Sequence, residues 1–124
     1  MKINENSMTP LYVQIADAIE EDILNDKLIE GSTCYSQLVI AKELNVNPAT
    51  AAKGINLLVQ RGILDKQRGL AMSVKTGARE IIRKRKTQTD FEEKIQELAQ
   101  IAKRLQLSDI YVLEKLSQYL KEER

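Results

Sequence analysis

The chain has 124 residues, 19 of them basic and 18 acidic, with no histidine, one cysteine and a formal net charge of +1. That length holds one modest domain with an appendage, not two full cores. Without histidine there is no His-based triad and little prospect of a catalytic zinc. Cys34 alone builds neither a disulfide nor a thiolate cluster, and no glycine-rich phosphate loop is present, so an enzyme, a metal centre and a cofactor are not expected. The absence of a signal peptide and of an apolar run near membrane-span length leads to the expectation of a cytoplasmic chain with no membrane partner.

Residues 1–9 are polar and read as a loose lead-in. A helix is predicted over residues 10–25, with Thr9 as N-cap, Pro10 at its first position and Leu11, Ile15, Ile19 and Ile23 spaced i, i+4. Its polar face is acidic. Residues 26–33, with Gly31, form a loop. Residues 36–61 then read as two short helices around a break at residues 45–48. Ile40, Ala41 and Leu44 fall at helical spacing in the first, with Val46 closing the turn, and Ala51, Ile55 and Leu58 do so in the second. Ser36 is placed to cap the first helix. Asn47 before Pro48 supplies an N-cap and a proline at the first helical position of the second. Only three residues separate the pair, which is the length of a helix-turn-helix corner. Gly54 in mid-helix costs about 1 kcal/mol against alanine, and close helix packing is the reason it points to.

Gly62 stands as a C-terminal glycine stop, and the period then changes. Residues 63–67 and 71–75 are short strand candidates joined by Arg68, Gly69 and Leu70. Three helices followed by a hairpin make a winged helix-turn-helix. Gly77 breaks the chain, and a charged helix with the run Arg83, Lys84, Arg85, Lys86 follows; such a run serves as a solvated face or a phosphate contact. Phe91, Ile95, Leu98, Ala102 and Leu105 form a stripe, and Ser108 caps a last helix carrying Ile110, Leu113, Leu116 and Leu120. This hairpin lacks a third element to cover its apolar side. A second copy of the chain, related by a two-fold axis, would cover it. The expected architecture is mainly α with a small β-hairpin wing: a winged helix-turn-helix over residues 1–76 and a two-helix dimerisation hairpin over residues 77–124.

Charge is unevenly placed along the chain. Residues 36–75 hold Lys42, Lys53, Arg61, Lys66, Arg68 and Lys75 against Glu43 and Asp65, whereas residues 15–30 hold six acidic residues against Lys27. A basic face with an acidic back suits a domain that docks one way round, and ordinary solvated faces account for the same charges nearly as well.

Pro10, Leu11, Tyr12, Gln14 and Ile15, the Gly31 loop, Ser36 with Ala41, Leu44, Val46, Asn47, Pro48 and Thr50, then Gly62, Arg68, Gly69, Met72 and Val74 together resemble the GntR family of bacterial transcription regulators. The short helical tail resembles the YtrA-like branch, which carries a two-helix dimerisation appendage in place of a ligand-binding domain. The sequence departs from the family at Tyr35, where proline is usual; at Leu38, where an operator-contacting arginine is usual; and at Ala71 and Ser73 in the wing.

The resemblance implies that the second helix of the pair enters the major groove of double-stranded DNA. Asn47, Pro48, Ala49 and Thr50 would then lie at the base edges, with Ala49 against a thymine methyl, and Lys53 one turn further on near a phosphate or base. Ser36 and Gln37 would meet a phosphate, Arg68 would reach into the minor groove, and Gly69 would let the backbone come close. Each has a plainer role open to it, Asn47 as a cap and Ala49 and Thr50 as small surface residues. The implied function is a sequence-specific, homodimeric repressor of its own operon, which in this branch often encodes an ABC transporter. The alternative is a winged-helix protein interaction module with little specific DNA binding, favoured by Leu38 and the near-zero net charge. A sensor acting through Cys34 is a third class. The sequence names no small-molecule effector.

Overall fold

The computed structural model describes residues 1–66 and 71–122. The chain divides into two compact units, Met1–Arg85 and Lys86–Arg124. In the first, α1 (Leu11–Leu24), α2 (Gln37–Leu44) and α3 (Pro48–Gln60) are followed by β1 (Leu64–Asp65), β2 (Ser73–Val74) and α4 (Ala78–Lys86).

Helix α1 buries Ile15, Ile19 and Ile23 of the expected stripe, with Ala16 beside them, while Leu11 at its start is half-buried. Its start differs from expectation. Pro10 stays extended at φ −55° and ψ 146°, so the helix begins from the Pro10 carbonyl, which accepts from Val13 and Gln14, and Thr9 is not the cap. The Thr9 carbonyl instead accepts from Gln14 Nε2 at 2.8 Å. The same Gln14 amide holds both backbone groups of Asn4, at 2.6 and 2.9 Å, and Met1 and Ile3 pack on the core. The lead-in is therefore tied down, where polarity alone suggested a loose end.

Helix α3 packs on both α1 and α2 and buries Ala51, Gly54, Ile55 and Leu58. At Gly54 α3 lies close against α1. A Cβ there would stand 2.8 Å from Ile15 Cγ2 and 3.1 Å from the Tyr12 carbonyl oxygen, which is the close packing its mid-helix position implied. Gly62, at φ +78°, ends the helix in the left-handed conformation that glycine adopts freely.

The strands are shorter than the two five-residue runs expected. They pair antiparallel with Leu64 opposite Val74 and Asp65 opposite Ser73. Ile63 is shared between the two elements: its N–H closes the end of α3 on the Leu58 carbonyl at 2.9 Å, while its carbonyl accepts from Lys75 N–H at 2.8 Å and continues the pairing beyond Leu64. The other edge of β2 is also occupied: Gly31 N–H donates to Val74, Val74 N–H to Ser32 and Cys34 N–H to Met72, at 2.7 to 2.9 Å. Part of the expected loop thus stabilises the wing. Gln67 and the expected hairpin tip, Arg68, Gly69 and Leu70, lie outside the described residues.

Helix α4 begins after Gly77 and buries Ala78 and Ile82 in the first unit. Its free N–H groups at Gly77 and Arg79 are capped by the Glu30 carboxylate, at 2.7 and 3.2 Å, and Arg79 pairs with Asp26. Cys34 is buried, and burial, with the nearby charge of Asp22, pushes its thiol up from 9.0 to about 11 despite a backbone hydrogen bond from Tyr35. It stays a protonated thiol at neutral pH, which removes the reactive thiolate a redox sensor needs.

The second unit holds a π-helical turn (Thr87–Phe91), α5 (Glu92–Arg104) and α6 (Asp109–Glu122). Ser108 Oγ accepts from Tyr111 N–H at 3.1 Å and caps α6 as expected. Ala102 is buried, whereas Phe91, Leu105, Ile110, Leu113 and Tyr119 are each more than half exposed. A groove of about 310 Å³ runs between the helices, walled by Leu98, Ile101, Leu107, Tyr111, Leu116 and Tyr119.

Candidate nucleic-acid interface

The turn between α2 and α3 is built from local groups. Asn45 takes the left-handed conformation at φ +53° and closes α2 on the Ala41 carbonyl. Asn47 is extended, and its Oδ1 accepts from Ala49 N–H at 2.8 Å. Asn47 therefore caps α3, and Pro48 occupies the first helical position without losing a hydrogen bond. With Ala51, Ile55 and Leu58 turned into the core, Asn47, Pro48, Ala49 and Lys53 are exposed and Thr50 is half-buried. The N-terminal turn of α3 is thus presented outward on a rigid base.

Lys53 is a cation on this face. Its Nζ sits 4.9 Å from the centre of the Tyr12 ring, an attraction of about 0.5–1 kcal/mol at such an exposed site that holds the ammonium toward the first turn of α1. At the start of α2, Ser36 Oγ accepts from Val39 N–H at 3.2 Å, and both Ser36 and Gln37 are exposed. A cleft of about 270 Å³ opens between this helix start, α3 and the wing, with Tyr35, Ser36, Gln37, Ala52, Asn56 and Met72 among its walls. Six of the nine residues singled out in the sequence, Ser36, Gln37, Asn47, Pro48, Ala49 and Lys53, are exposed here, with Thr50 beside them. The other two, Arg68 and Gly69, lie outside the described residues.

The departures from the family pattern have structural counterparts. Tyr35 donates its hydroxyl to Asp22 Oδ2 at 2.6 Å, joining the start of α2 to the last turns of α1; burial and Asp22 push its pKa well above the ordinary tyrosine value. Leu38 is 71% exposed, so it presents an apolar side chain at the surface where the family places a cation. Ala71 faces the cleft, and Ser73 pairs with Asp65 and bridges to Thr33.

Charge is arranged differently from its linear pattern. Arg61, counted among the basic residues, turns inward to Asp17 Oδ1 at 3.1 Å and Glu20 Oε1 at 3.2 Å. Glu20 itself is fully buried and also receives Arg85, so one acidic residue of α1 is withdrawn from the surface and one member of the basic run is half-buried against it. Arg83 pairs with Glu80 one turn away. Asn56 and the Tyr12 ring were missed in the sequence, although Asn56 is legible there: it falls seven residues after Ala49 and outside the buried stripe. Among the described residues, no group of three or more candidate ligands could hold a metal ion, and no helix is long and apolar enough to cross a membrane.

No protein-family model matches the chain. Over 69 residues, 56% of its length, it is 35% identical to an HTH-type transcriptional repressor of Salmonella typhimurium, and it spans 29% of that repressor. Its fold is similar to that of a GntR-family transcriptional regulator from Bacteroides thetaiotaomicron, with a TM-score of 0.76 at 21% identity, covering 92% of this chain and 99% of the other. YtrA from Sulfolobus acidocaldarius, a GntR-family transcription factor, is 39% identical, with a TM-score of 0.56, 60% of this chain and 78% of that one being covered. These relatives are transcription regulators and not enzymes, in keeping with the resemblance to the YtrA-like branch. At that identity and coverage, with the winged helix-turn-helix that both share, the chain belongs to the GntR family of DNA-binding transcription regulators.

Proposed function

We propose that this regulator is a cytoplasmic homodimer that represses its own operon by occupying a two-fold operator and blocking polymerase. The observation that carries this is the outward N-terminal turn of α3, seated on a buried stripe and flanked by Lys53. Residues 1–76 carry the DNA contacts and residues 77–124 the chain-to-chain contacts. Asn47, Pro48, Ala49 and Thr50 meet base edges in the major groove, Ser36 and Gln37 meet phosphate, and Arg68 with Gly69 enters the minor groove. Lys53 neutralises a phosphate or meets a base at the groove edge. Pairing of α5 and α6 with a second copy buries the apolar groove and the exposed Phe91, Leu105 and Leu113, which none of the unit's described residues covers.

The test is binding of the purified protein to the DNA upstream of its own gene against a scrambled duplex, followed by fluorescence anisotropy. The upstream DNA is expected to bind more tightly, and Lys53→Ala and Arg68→Ala each to weaken it roughly tenfold. Equal, weak binding to both duplexes, untouched by either substitution, would remove the operator reading and return the chain to the interaction-module class.

A further inference from the structure

We infer that Asn56 is a specificity-determining residue that reads an adenine in each operator half-site; this rests on the operator reading above. At 3.6 residues per turn, Ala49, Lys53 and Asn56 lie within about 60° of arc on α3, and all three are exposed. Asn56 therefore shares the outward face of the reading helix. It stands two turns beyond Ala49, about 10 Å along the helix, and so meets a different base step.

The cleft supplies the second observation. Asn56 shares its walls with Ser36 and Gln37, the residues placed at phosphate, so a duplex whose backbone reaches the start of α2 passes over Asn56. The Asn56 amide makes no hydrogen bond among the described residues, and neither does that of Gln37. Asparagine is also a poor helix former, and here, in the ninth position of α3, it neither caps nor packs the core. Its chemistry fits one base edge in particular. Oδ1 accepts from adenine N6–H while Nδ2 donates to N7, the paired contact that distinguishes adenine from the other bases in the major groove. Leu38 makes this more consequential, since no charged donor stands at its position to anchor recognition.

The experiment is selection of bound duplexes from a randomised pool, carried out in parallel with the wild-type protein and with Asn56→Ala. The wild type is expected to enrich a two-fold motif with an adenine at one position per half-site. Asn56→Ala is expected to enrich the same motif with that position relaxed, and to lose about tenfold in discrimination there while binding scrambled DNA as before. An exposed helical Asn→Ala change favours the helix, so folding is retained, and a thermal melt confirms it. Identical motifs from both proteins would overturn the role of Asn56 and leave the operator reading standing. No enriched motif from the wild type would overturn both.

Discussion

Gly54→Val is expected to lower the stability of the protein by about 3 kcal/mol, at the upper end of what overpacking costs. The first added carbon already meets Ile15 Cγ2 at 2.8 Å and the Tyr12 backbone oxygen at 3.1 Å. Ile15 is fully buried and stiff about its first torsion, and the oxygen belongs to the helix itself, so neither yields without moving α1 against α3. Gly54→Ala meets the same contacts but recovers about 1 kcal/mol of helix propensity, so its loss is smaller. The pairing can be isolated with Ile15→Ala, which opens the space. Alone that change costs about 2–5 kcal/mol; combined with Gly54→Ala it is expected to cost less than the sum of the two. Urea denaturation of the four proteins measures this, and strict additivity would mean that the close approach at Gly54 does not limit the packing.

The Glu20 cluster carries the second large effect. Its carboxylate is fully buried and accepts from Arg61 Nη1 at 3.2 Å and from Arg85, while Oε2 is buried without a partner among the described residues. Replacing both Arg61 and Arg85 by methionine strands that charge and is expected to cost about 3–5 kcal/mol. Adding Glu20→Leu removes the stranded group, and the triple variant is expected to return to within about 1 kcal/mol of wild type, because a buried ion cluster is seldom worth more than well-packed apolar side chains. Denaturation at neutral pH separates the alternatives. A double variant no less stable than the triple would mean that the two guanidinium groups do not compensate Glu20. The cluster joins α1, the end of α3 and α4 within the first unit.

These two sites illustrate what was legible in the sequence. Gly54 could be read because a glycine in an otherwise helical pattern is a local anomaly with few explanations. The corner at Asn45 to Pro48 could be read for the same reason: a capping asparagine and a helix-opening proline act within a few residues of themselves, although the left-handed turn at Asn45 was seen only in the structure. Glu20 could not, since nothing nearby distinguishes it from the other acids of α1, and its partners lie 41 and 65 residues away. Glu30, which caps α4 across 47 residues, was hidden in the same way. Tyr35 and Gln14 likewise look like ordinary packing and surface residues until Asp22 and Asn4 are brought to them by the fold. For the interface, the family resemblance was what singled out Ser36, Gln37 and the first turn of α3, and of these Thr50 is half-buried while the others are exposed. The resemblance was not enough to show that Lys53 rests against Tyr12, which requires the crossing of α1 and α3.

The operator reading puts duplex DNA on the face made by the start of α2, the first turns of α3 and the wing. The salt dependence of binding to the upstream DNA tests it most directly, because phosphate contacts release counterions and each contributes about 0.9 to the slope of log K against log salt concentration. Two chains, each bringing Lys53 and Arg68 to the duplex, are expected to give a slope of about −3.5, shallower by about 2 when Lys53→Ala removes a cation from each chain. A flat salt response, unchanged by Lys53→Ala, would contradict the account.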